Sequence, residues 1–122
     1  MDIKLELVAV PVTDVDRAKE FYSTVGFVLD HDHTVSDEVR FVQMTPPGSA
    51  CSIAFGKGLT GLAPGSLDNL QAVVADAAAA RADLAARGVE VSDVDEQPWG
   101  RFVYFEDPDG NGWALQQIPA RG

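Results

Sequence analysis

Thr13-Asp14-Val15-Asp16-Arg17-Ala18-Lys19-Glu20-Phe21-Tyr22-Ser23-Thr24-Val25-Gly26 reads as one helix with both of its ends. Thr13 and Asp14 offer side-chain oxygens for the free N–H groups of a first turn, and Asp16, three residues after Thr13, is the acidic partner of a capping box. Ala18, Phe21, Tyr22 and Val25 recur at helical spacing and mark one buried face. Gly26 ends the helix, because glycine accepts the left-handed conformation common just past a helix terminus. The landmarks then return: Asp76 follows Asp14, Gly88 follows Gly26, and Pro108 and Gly110 follow Pro46 and Gly48, each 62 residues on. A helix start, a helix stop and a hairpin in one register point to a duplicated module.

Around the first helix, Leu5 to Val12 reads as a strand buried on at least one side. Phe27 to Asp32, Val39 to Thr45 and Ala50 to Phe55 are strand-like, with the turn Pro46-Pro47-Gly48 between the last two. The module is β-α-β-β-β. In the second half, Leu70 to Val74 is the first strand and Asp76 caps an alanine-rich helix to Arg87, ended by Gly88. Val89 to Val91, Arg101 to Glu106 and Gly112 to Ile118 complete its strands, with Asp107-Pro108-Asp109-Gly110-Asn111 as the turn. The expected organisation is one domain over residues 1–122: module one at 1–56, a glycine-rich linker at 57–66, and module two at 67–122.

At 122 residues, 46% hydrophobic and 23% charged, the chain supports one compact core and not two. A net charge of -10 and a pI near 4.3 argue against nucleic acid, since phosphate contacts need basic clusters that nine scattered Lys and Arg do not supply. A neutral or cationic small molecule suits this surface. No apolar run approaches the roughly 18 residues of a membrane span. Met1-Asp2-Ile3-Lys4 lacks the regions of a secretory signal, so a cytoplasmic protein without a membrane partner is expected. Cys51, the single cysteine, reads as a buried structural thiol.

Three stretches carry a family likeness: Val12-Thr13-Asp14-Val15-Asp16-Arg17-Ala18 through Phe21-Tyr22, the following Gly26-Phe27, and Tyr104-Phe105-Glu106-Asp107-Pro108-Asp109-Gly110-Asn111. They resemble the vicinal oxygen chelate superfamily, which includes glyoxalase I, extradiol dioxygenases, and fosfomycin- and bleomycin-resistance proteins. The resemblance covers essentially the whole chain. It implies an α+β fold whose paired βαβββ modules form a half-open mixed β-barrel with helices outside, the glyoxalase/bleomycin-resistance fold. Chemistry stays open, because one fold hosts many functions.

In metal-using relatives the ligands come from one inward position on the first strand and one on the last strand of each module. Alternation puts Val8, Val10 and Val12 under the helix and Leu7, Ala9 and Pro11 on the other face. The 62-residue shift carries the inward set to Asn69, Gln71 and Val73. The four seats are then Leu7, Asn69, Ser52 and Ala114, and none carries His, Glu or Asp. A catalytic divalent cation needs imidazole nitrogen or carboxylate oxygen, so no metal and no cofactor is expected. The ordinary glyoxalase or dioxygenase mechanism is rejected for this chain.

The cavity lining is expected to be amphipathic instead. Fosfomycin-resistance relatives have a substrate-contacting tyrosine at the hairpin position of Tyr104, which turns Tyr104 and Phe102 inward; barrel filling is the plainer reading of both. The repeat then turns Arg40 and Val42 inward, joined by Ala54 and Gln116. Gln97-Pro98-Trp99-Gly100-Arg101 is similar to the Pro-Trp-Gly-Arg segment of bleomycin-resistance proteins, where the aromatic lines the drug groove. Trp99 is expected to stack on a planar or cationic group, or else to cover the barrel mouth. The ligand-binding candidates are Leu7, Arg40, Ser52, Asn69, Gln71, Trp99, Phe102, Tyr104, Ala114 and Gln116.

Asp30-His31-Asp32-His33 competes with these. On a strand both imidazoles point the same way, which suits zinc or acid–base chemistry. Their counterparts Asp93 and Asp95 lie, like them, past the apolar part of a strand, and an exposed edge is the reading taken. The expectation is therefore a metal-independent small-molecule-binding protein that sequesters an antibiotic or aromatic metabolite. Relatives cover their open sheet edges with a second subunit, which implies a homodimer. The alternative is a glyoxalase-like lyase or isomerase with an atypical site, using His31 or His33 as proton carrier; no catalytic residue is assigned.

Overall fold

The computed structural model describes residues 1–119. In the first module, β1 (Leu7–Ala9), α1 (Val15–Val25), β2 (Val28–Thr34), β3 (Arg40–Thr45) and β4 (Ser52–Lys57) build a sheet of order β1-β4-β3-β2. In the second, β5 (Leu70–Val73), α2 (Ala77–Ala86), β6 (Asp95–Gln97), β7 (Gly100–Glu106) and β8 (Gly112–Gln117) give β5-β8-β7-β6. First and last strands of each module pair in parallel and the rest antiparallel. This is the α+β arrangement of paired βαβββ modules that the sequence implies. Among the described residues, no helix is long and apolar enough to cross a membrane.

Asp14 caps α1 by accepting from the Arg17 N–H at 3.1 Å, and Gly26 takes φ 113° at the other end. The capping box does not form. Thr13 gives its hydroxyl to Asp109 of the β7–β8 turn at 2.6 Å, a charged acceptor, and Asp16 turns to Arg40. Val89 to Val91 makes no strand; Val89 is buried in the core, and pairing resumes at Asp95. β2 runs on past Asp32 to Thr34, so His31 and His33 both lie in its ladder, exposed on the outermost strand of the sheet. Cys51 is half-buried rather than buried.

One core joins the modules. α1 lays Ala18 and Tyr22 on Val42, Met44, Ile53 and Phe55 of its own sheet, and the same cluster takes in Phe105 and Trp113 of the other. Tyr22 meets Phe55 and Trp113 at centroid distances of 5.7 and 6.0 Å. Its hydroxyl donates to Asp107 at 2.8 Å and accepts from Trp113 Nε1 at 3.0 Å. Burial, and then the charge of Asp107, pushes the Tyr22 phenol well above its ordinary pKa, so it keeps its proton. Both sheets thus turn helix-bearing faces to this core, and each leaves a free face pointing away from it.

On the helix side of the first sheet, Asp32 receives Lys19 at 2.9 Å and two nitrogens of Arg40 at 3.0 and 2.9 Å. These hydrogen bonds, Arg40 first and Lys19 second, hold the Asp32 carboxyl well below the usual range. A depressed carboxyl contributes stability above its unfolded pKa of about 3.9 and loses that contribution as pH falls through the folded value. Asp32→Asn is expected to cost about 1 kcal/mol at neutral pH and to flatten the acid limb of a urea-stability profile below about pH 5. An unchanged acid limb would assign this cluster no part in stability.

Candidate functional site

Register fixes which residues share the free faces. In the first sheet, Leu7 lies opposite Ser52, while Ala9 and Gln43 flank Ala54 from either side. His31 stands opposite Gln43 and His33 opposite Phe41, all on the side away from α1. In the second sheet, Gln71 and Tyr104 flank Ala114, and Val73 and Phe102 flank Gln116. The last strands keep the 62-residue repeat, but the first strands are 64 apart, because module one has two more residues between strand and helix cap. Gln71, not Asn69, is therefore the counterpart of Leu7. Asn69 lies just before β5 and is exposed.

Arg40 and Val42 are corrected more sharply. Eleven residues separate Gln43 from Ala54, whereas fourteen separate Phe102 from Gln116. The difference is odd, and an odd slip exchanges the two faces of a strand. Gln43 therefore takes the place equivalent to Phe102. Val42 is fully buried under α1, and Arg40 pairs with Asp16 and Asp32 on that side. Neither reaches the free face.

Two amides organise the second face. Gln71 Nε2 donates to Gln116 Oε1 at 2.7 Å, and Gln116 Nε2 donates to the Trp99 carbonyl at 3.0 Å, which anchors the β6–β7 turn. Gly100 completes that turn at φ 152°, where a Cβ would come within 2.7 Å of the Gln117 carbonyl oxygen. Trp99 projects from it, 62% exposed. Tyr104 donates to Asp95 on β6 at 2.7 Å; this hydrogen bond, with burial second, pushes its phenol up. Its one proton is committed, so the oxygen faces outward as an acceptor. Phe102 lies parallel to Tyr104 at 6.1 Å and is only 6% exposed, so it fills more than it lines. A cleft of about 710 Å³ opens beside Tyr104 and Ala114, also lined by Asp68, Glu90 and Val91.

On the first face, Ser52 is buried with its hydroxyl 2.7 Å from that of Thr45, which donates to Asp30 in the β2 bulge. Thr45 gives its proton to Asp30, so Ser52 gives its own to Thr45. Asp95 and Gln43 were not singled out by the sequence. Asp95 reads only as part of an exposed strand edge, and Gln43 is hidden by the unequal hairpins; alternation through Asp93, Asp95 and Gln97 is the signal that points to Asp95.

A profile of the Glyoxalase/Bleomycin resistance protein/Dioxygenase superfamily matches residues 4–115. The chain belongs to this superfamily. TnmS3, an antibiotic binding protein from Streptomyces sp. CB03234, superposes with a TM-score of 0.87 at 39% identity, over 98% of this chain and 99% of TnmS3. A glyoxalase/bleomycin resistance protein from the same strain gives 0.81 at 39% identity, over 93% and 100%. Protein YetH of Bacillus subtilis (strain 168) is 29% identical over 116 residues, 90% of this chain and 94% of YetH.

By register, the seats from which metal-using members of the superfamily draw ligands are here Leu7, Ser52, Gln71 and Ala114. They offer one hydrogen-bonded hydroxyl and one neutral amide beside two alkyl groups. That donor set does not fit a catalytic divalent cation. Among the described residues, no group of three or more His, Cys, Asp or Glu side chains is placed to hold a metal ion.

Proposed function

We propose that the chain is a cytoplasmic homodimer that binds and sequesters a small organic molecule, with no metal at the superfamily's seats. The observation carrying this reading is the donor set at Leu7, Ser52, Gln71 and Ala114, set in faces that mix apolar groups with a few fixed acceptors and donors. Each free face is half of a site, because the core joins the sheets through their other faces. A second copy laying its first sheet over the second sheet of its partner encloses the ligand and covers edge strands. The antibiotic binding named for TnmS3 supports an antibiotic-like ligand. A net charge of -10 favours a cationic one, and exposed Trp99 beside the acceptor oxygen of Tyr104 favours a planar molecule with hydrogen-bond donors.

The test is thermal-shift screening of EDTA-treated protein against cationic glycopeptides, quinones and other aromatic metabolites. A ligand at 100 times its Kd stabilises the fold by about 2.7 kcal/mol, or about 10 °C at this size. The expected shift survives EDTA, and mass spectrometry recovers the ligand unchanged. A shift that needs added Ni2+, Zn2+ or Mn2+, or a ligand that is converted, would favour the lyase or isomerase alternative instead.

A further inference from the structure

We propose that His31 and His33 form a chelating site for a borderline divalent cation, Cu2+ before Ni2+ and Zn2+, on the free face of the first sheet. The two stand two residues apart on an extended strand, opposite Gln43 and Phe41, and so project to the same side. Their ring centroids are 5.6 Å apart, with planes 24° from parallel. Both residues are exposed, and among the described residues no protein hydrogen bond or ion pair engages either ring. Because neither ring is held by such a bond, rotation about the side-chain bonds is free to aim one nitrogen of each at a common ion. Once the first bond forms, the second is intramolecular, which raises affinity by about 100-fold or more.

The surroundings favour a cation. Lys19 and Arg40, two basic groups of the same module, are both paired with Asp32, whose side chain lies on the opposite face. Asp30, held by Thr45 in the adjoining bulge, leaves negative charge beside the imidazoles. Imidazole donors select Cu2+ over Ni2+ and Zn2+, and do not suit Mg2+ or Ca2+, which prefer oxygen. This position is not the superfamily's: those seats lie on β1, β4, β5 and β8, whereas β2 is the outermost strand of its sheet. With two protein ligands the ion keeps open coordination positions, which water or an oxygen- or nitrogen-donor molecule fills.

The full chain, stripped with EDTA and exchanged into a non-chelating buffer, is titrated with CuCl2 by calorimetry, with electron paramagnetic resonance to identify the ligands. One Cu2+ per chain with imidazole-nitrogen couplings is expected, with weaker Ni2+ and Zn2+ binding and none of Mg2+. His31→Ala and His33→Ala should each weaken Cu2+ binding by about 100-fold. Acetylating the Met1 amine, which itself attracts Cu2+, should leave the site intact. Binding that survives the His31→Ala, His33→Ala double variant, or no binding above the Met1 contribution, overturns the proposal. Survival in the double variant with the amine blocked would also place the ion elsewhere in the chain and bring the metal-free reading of Leu7, Ser52, Gln71 and Ala114 into question.

Discussion

Asp107→Ala is expected to lower the free energy of unfolding by about 3–5 kcal/mol, a large part of what holds a domain of this size together. Asp107 is 5% exposed, and its two oxygens accept four hydrogen bonds. Oδ1 takes the N–H groups of Asp109 and Asn111 at 3.0 and 2.9 Å; Oδ2 takes the Tyr22 hydroxyl and Asn111 Nδ2 at 2.8 and 2.9 Å. Alanine leaves all four donors without that acceptor, and an unsatisfied buried donor costs about 1–3 kcal/mol. Asn111 spreads the effect, because its amide also donates to the Pro11 carbonyl and accepts from the Leu67 N–H, tying the hairpin to both modules. Tyr22→Phe removes only one donor and one acceptor and should cost less, about 1–3 kcal/mol. Urea unfolding followed by tryptophan fluorescence reads both, since Trp113 contacts Tyr22 directly. A loss below about 1 kcal/mol for Asp107→Ala would show that some other contact fastens the modules.

Trp99→Ala should do the opposite: little change in stability, and about a 2- to 30-fold loss of affinity for the most stabilising ligand. The side chain is 62% exposed, so folding loses little with it. The turn survives, because Gln116 holds residue 99 through its backbone carbonyl. What disappears is a large aromatic plane at the edge of the second sheet's free face, and stacking on such a plane is worth about 0.5–2 kcal/mol. Isothermal titration of the variant settles it, and unchanged affinity would assign Trp99 to covering the rim rather than touching ligand.

The parts legible in the sequence were those marked by local chemistry. Asp14 to Gly26 and Asp76 to Gly88 announce helices because caps and stops are set by the residues themselves. The faces of β3 were not legible, since hairpin length decides parity and the matching prolines and glycines at 46, 48, 108 and 110 keep a register true only of the strands after them. Arg40 was misplaced for that reason, and Asn69 because two extra residues precede the first helix cap. In β2 the alternation was legible but its phase was not: Asp32 goes to the helix side and His31 and His33 to the free face. The Tyr22–Asp107 contact joins residues 85 apart, and no periodicity in the chain anticipates it.

Sharing of each ligand site between two copies is tested most directly by mixing two disabled variants. Gln43→Arg obstructs the first-sheet half and Ala114→Arg the second-sheet half, so either variant alone forms dimers with every site blocked. After subunit exchange in an equal mixture, each mixed dimer holds one doubly blocked site and one free of both substitutions. Ligand binding is predicted to recover to about a quarter of the wild-type stoichiometry. No recovery at any mixing ratio, with exchange verified, would place the whole site within a single chain and contradict the shared arrangement.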